Sequence, residues 1–183
     1  MTFSALSAGP GSGRIVGNSS RQESGARVPG RRIFIIGWML LAMAGLAAGK
    51  DLAVITNKSS SVSGLTLADL VKICKGQSSR WPDGKPITFI TRKPSSPEMK
   101  MVLDKVYGMS KDDVMGVIAA ANHGRTNHPA IVVVDSDEDL VNKVESIPGA
   151  IGLVDVYSIN GGITVVKLGG KLPLEPGYLL HGN

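Results

Sequence analysis

Residues 52–92 read LAVITNKSSSVSGLTLADLVKICKGQSSRWPDGKPITFITR and contain one complete strand–helix–strand unit. Leu52–Thr56 is a short apolar run, the pattern of a buried strand. Asn57–Gly64 is Ser-rich and reads as a loop. Thr66, with Asp69 three residues on, is a helix start in which hydroxyl and carboxylate can satisfy each other's backbone amides. Leu67, Leu70, Val71 and Cys74 fall on one helical face, and Gly76 is a C-terminal stop. GQSSRWPDGKP is turn chemistry, with Trp81 as its hydrophobic anchor, and Ile87–Thr91 is the second strand. Two apolar strands joined through a helix imply an α/β layer fold.

Downstream the same grammar continues. Met99, Val102, Leu103 and Val106 predict a helix that ends at Gly108. Ser110 with Asp113 opens another, carrying Val114, Val117, Ile118 and Ala121 on one side. After the loop NHGRTNHP, Ala130–Val134 is a β-branched strand of the kind buried on both faces. Ser136 caps a fourth helix whose first turn holds Asp137, Glu138 and Asp139, where the helix dipole favours negative charge. Ile151–Val154 and Ile163–Leu168 are the last strands, close enough through Asn160-Gly161-Gly162 to pair antiparallel. The expected class is α/β, a mainly parallel sheet flanked by helices over residues 50–170. Residues 171–183 read as an irregular tail.

Upstream, Arg31-Arg32 precede an unbroken apolar run from Ile33 to Ala48 that ends in small residues. This layout of residues 31–49 is that of a secretory signal, and it is shorter than the roughly 20 residues of a spanning helix. An uncleaved N-terminal anchor is the alternative. Export implies a periplasmic or secreted mature chain. Residues 1–30, rich in Gly, Ser and Arg, read as disordered or as an extension from a misassigned start; Val28 as the start would give a compact signal. The only cysteine, Cys74, leaves no intramolecular disulfide and reads as a core residue. Net charge is +5, but residues 1–44 hold five arginines against Glu23 alone; the remainder has 15 basic and 14 acidic side chains. That balance gives no basic stripe for a nucleic acid.

One place has the chemistry of a ligand pocket. Arg92 directly follows the second strand, and Ser95-Ser96-Pro97 opens the next helix. Ligands of α/β sheets gather beyond the carboxyl ends of strands, and a helix start offers free amides to an anion. A guanidinium and two hydroxyls add donors suited to phosphate or a related oxyanion. The same residues also read as ordinary helix grammar, with Ser95 and Glu98 as a capping box and Arg92 solvated.

The motifs strand–NK–loop–LxLxDL–helix–G–xxxxWPDGxPI, the arginine after the second strand, and PGAIGxVD give the chain a family resemblance. It resembles the phosphate-binding proteins of ABC importers, most closely the short PstS-like members of the periplasmic binding protein group, over roughly residues 51–168. The resemblance implies a type 2 binding-protein lobe. It also implies capture of phosphate or a similar oxyanion without catalysis or cofactor, and an ABC permease as partner. In that family an Arg-x-x-x-Ser-Gly-Thr turn helps hold the phosphate; Arg92 and Ser96 match its Arg and Ser, while Pro97-Glu98 stand where the pattern has Gly-Thr. Pro97 brings no amide donor, and Glu98 repels a dianion unless it turns away. The mature length is about one lobe of the two that usually close over the solute. A half-site can bind weakly, pair with a second copy as a homodimer, or persist without a ligand as a module contacting another envelope protein.

Other residues point nowhere specific. His123 and His128 flank GRTN without a third metal ligand, and Arg125 reads as a solvated loop residue. Asp155 either lines a cleft or caps the next turn. No G-x-S-x-G elbow or Gly-rich phosphate loop with its lysine is present, so nothing in the sequence argues for an enzyme.

Overall fold

Leu52–Asn57 forms β1, and every residue of it is buried. Its side chains alternate between two apolar clusters: Leu52 and Val54 face one, Ala53 and Ile55 the other. Burial on both faces is what an unbroken apolar run requires. The computed structural model describes residues 50–182. The proposed signal and extension, residues 1–49, lie outside the described residues.

β1 is followed by β2 (Gly64–Leu65), α1 (Leu67–Cys74) and β3 (Thr88–Arg92). A helical segment then runs from Pro97 to Tyr107, with α2 (Lys100–Val102) at its centre. Next come α3 (Lys111–Asn122), β4 (Ile131–Val134), α4 (Asp137–Ser146), β5 (Ala150–Asp155) and β6 (Ile163–Leu168). The sheet order is β2-β6-β1-β5-β3-β4. β3 pairs parallel with β4 and β5, and β2 parallel with β6, while β1 runs antiparallel to β5 and β6. The sheet is thus mostly parallel and flanked by helices on both faces. α1, the 97–107 segment and α3 cover one face, and α4 covers the other.

Three features differ from expectation. The last two strands do not pair with each other, because β1 lies between them and both bond to it. They therefore run parallel to one another. The Ser-rich loop also ends in a short strand, β2, that was not read from the sequence. The helix expected around Met99–Val106 is irregular: it starts as a 3-10 turn at Pro97–Met99 and ends as a wide π turn at Leu103–Tyr107. The wide turn, closed by the Gly108 N–H on the Leu103 carbonyl, lets the adjacent Val106 and Tyr107 both enter the core. The Tyr107 hydroxyl donates to the Cys74 carbonyl, and burial pushes its pKa up.

α4 packs closely on β5 because Gly152 has no side chain; a Cβ there would lie 2.7 Å from Leu140 Cδ2. At the sheet edge, the Asn122 side chain donates to the Ile131 carbonyl and accepts from the Ile131 N–H. The tail forms neither helix nor strand, yet it is tied to the start of β1. The Leu52 N–H bonds to the Leu180 carbonyl, Tyr178 donates to the Leu52 carbonyl, and both side chains are buried.

The expected box at Thr66–Asp69 is present, and Ser110 caps α3 through the Asp113 N–H. At α1, Asp69 accepts from the Thr66 hydroxyl and N–H, and these bonds, followed by Lys72, hold its carboxyl below the ordinary value. A depressed carboxylate stabilises fully above its unfolded pKa, and that contribution is lost as pH falls through the folded one. Urea unfolding from about pH 6 down to about pH 2 will show the advantage of the parent over Asp69→Asn shrinking to nothing. An advantage independent of pH would contradict this cap.

Candidate functional site

β3 delivers Arg92 to the carboxyl edge of the sheet. There the side chain is only 15% exposed. One guanidinium nitrogen lies 2.5 Å from Asp137 Oδ1, and another lies 3.5 Å from Glu98 Oε2. Arg92 Nε is buried without a hydrogen-bond partner. Asp137 reaches this point because β4 runs parallel to β3, so α4 starts beside the end of β3. Ser158 donates to the second oxygen of Asp137. Glu98 is 46% exposed; the free amide at its own position, then Arg92, lowers its pKa.

The serines sit differently. Ser96 occupies the N-cap position of the 3-10 turn, but its side chain makes no capping bond and its hydroxyl is buried without a partner. Ser95 is exposed and makes no side-chain bond. The Ser95–Glu98 capping box is absent because the turn is tight: the Met99 N–H bonds to the Ser96 carbonyl instead.

A cleft of about 590 Å³ opens where β3 and β5 end and β1 begins. Arg92 lines it, as do Glu98 and Asp137; Ser95 and Ser96 do not. Its apolar wall includes Leu52, Met99, Val102 and Leu153. Its charged side chains balance: Lys50, Arg92, Lys100 and Lys105 stand against Glu98, Asp104, Asp137 and Asp155. Asp155 does both things its position allows. It pairs with Lys50 at 3.2 Å and caps the next turn through the Tyr157 N–H. His181 of the tail closes one side, with Lys105 donating to its carbonyl.

Sequence reasoning missed Asp137, Lys50 and His181 as cleft residues. Asp137 was legible only as a helix-start acid, although its place after a strand parallel to β3 was the available signal. Nothing local marked Lys50 or His181. Among the described residues, no three His, Cys, Asp or Glu side chains gather as a metal would require. No described helix is long and apolar enough to cross a membrane.

Known proteins share this fold. An ABC-type phosphate transport receptor from Vibrio cholerae superposes with a TM-score of 0.60 at 20% identity, over 74% of this chain and 55% of its own. PstS from Borrelia burgdorferi gives 0.57 at 21%, over 74% and 56%. A phosphate-binding protein from Stenotrophomonas maltophilia gives 0.52 at 17%, over 69% and 41%. The chain therefore spans about half the length of these proteins, the equivalent of one lobe. No curated protein sequence matches it. The family model for the PBP superfamily domain matches residues 42–178, most of the chain, and the chain belongs to that family.

Proposed function

We propose that this chain is an exported solute-binding domain that takes phosphate or a related oxyanion in the cleft at Arg92, for ABC-type uptake. The observation that carries the reading is the guanidinium held at the carboxyl edge of β3 with Asp137 beside it. A guanidinium donates hydrogen bonds to the oxyanion, and a carboxylate accepts a hydrogen bond from an O–H that the oxyanion retains. This pairing suits an oxyanion that keeps a proton near neutral pH, as phosphate does and sulfate does not. Ser95 and Ser96 follow Arg92 in the chain but do not line the cleft, so the proposed capture rests on Arg92 and Asp137. Export rests on residues 31–49, and the ABC permease on the family likeness.

Calorimetric titration of the protein with phosphate tests this. Saturable heat is expected in the parent, with at least about tenfold weaker binding of sulfate and loss of the heat in Arg92→Ala. Heat unaffected by Arg92→Ala would refute the site.

A second reading has its own support. Arg92 is already paired with two carboxylates, and the cleft carries as many acids as bases. In that reading the lobe is a non-catalytic interaction module for an envelope protein or a second copy. Absence of heat at millimolar phosphate, with a dimer mass in solution, would favour it.

A further inference from the structure

At the opposite end of β3 lies a second depression of about 520 Å³, formed by two loops. Ser79 and Arg80 line it from one side; Arg125, Thr126, Asn127 and His128 line it from the other. No carboxylate lines it. This composition is unusual for a chain whose residues from 45 onward carry 15 bases and 14 acids. Among the described residues, neither Arg80 nor Arg125 has a salt-bridge partner, whereas Arg92 has two.

Both loops are fixed at their bases. Arg80 bridges to Pro86, the Ile87 N–H bonds to the Ser79 carbonyl, and Arg80 Nη1 donates to the Gly84 carbonyl at 2.7 Å. On the other side the Arg125 N–H bonds to the Asn122 carbonyl, and the Asn122 side chain is clamped to Ile131. The Arg80 guanidinium is therefore placed before any ligand arrives, with its other nitrogens still available. Two forked cations flanked by hydroxyls and an amide are matched to a tetrahedral oxyanion.

We propose that this depression is a second anion site, one that binds a phosphoryl group through Arg80 and Arg125. The room around the arginines exceeds what a bare phosphate ion fills, so the phosphoryl group can be free or terminal on a larger molecule. The site is independent of the cleft at Arg92. Exposure makes it weak and strongly salt-dependent.

Calorimetry at low ionic strength tests it, using inorganic phosphate and glycerol 3-phosphate as probes. At least one probe is expected to bind with a Kd on the order of millimolar, weakening about tenfold or more in Arg80→Ala/Arg125→Ala and persisting in Arg92→Ala. Tighter binding of glycerol 3-phosphate assigns a terminal phosphoryl group, and equal or weaker binding assigns the free ion. Arg125→Ala alone guards against a disturbed turn, because the Arg125 side chain makes no bond within the described fold, and it too must weaken binding. No binding of either probe, or binding unchanged in these variants, overturns the proposal. A single event lost only in Arg92→Ala overturns this site and leaves the cleft standing; one lost only in the Arg80 and Arg125 variants does the reverse.

Discussion

Gly149→Ala is expected to destabilise the domain by about 4 kcal/mol, enough to unfold a marginal protein of this size. Gly149 has φ +83°, a conformation that side chains disfavour, and an added Cβ would lie 2.3 Å from the Pro86 carbonyl oxygen. That oxygen is backbone and cannot swing aside. The Gly149 carbonyl also accepts the indole N–H of the buried Trp81 at 2.9 Å. Shifting the backbone to relieve the overlap would break this bond and open a gap beside a large side chain. The urea midpoint should fall steeply while the folded spectrum stays native; a loss below about 1 kcal/mol would show that the joint yields freely.

Asp51→Ala is expected to cost about 2–3 kcal/mol and to free the tail. Asp51 is 1% exposed, yet it carries a carboxylate. One oxygen accepts the Leu174 N–H at 2.6 Å, and the other lies 2.5 Å from His181 Nδ1. The exposed His181 contributes little by charge alone, so most of the effect comes from the amide bond and from the backbone it holds. Leu174 has φ +69°, which a leucine keeps only when its surroundings hold it there. Limited proteolysis should cut the variant after residue 174 much faster than the parent. Equal cutting rates would remove Asp51 from this role.

These two positions show what a sequence can reveal and where it stops. Helix starts were legible because Thr66–Asp69, Ser110–Asp113 and Ser136–Asp139 act within four residues, and each hydroxyl does cap its helix. Strands were legible from their apolar runs, although β4, expected to be buried on both faces, is an edge strand with Val133 exposed. Strand order was not, since β1 finds its partners about a hundred residues away and no local pattern encodes that choice. The family motifs were visible, but their reason was not. WPDGxPI and PGAIG meet physically through Trp81, Pro86 and Gly149, so they form a structural joint. In the cleft, Arg92 was legible from its place after a strand. Its pairing with Asp137, 45 residues on, depended on tertiary structure.

The amide of Asn122 occupies both outward-facing hydrogen-bonding groups of Ile131 on the last strand. It imitates the neighbour that a growing sheet would recruit, and so ends the ladder in cis. At Ile131 that border therefore leaves no free backbone group for a second molecule's strand to pair with.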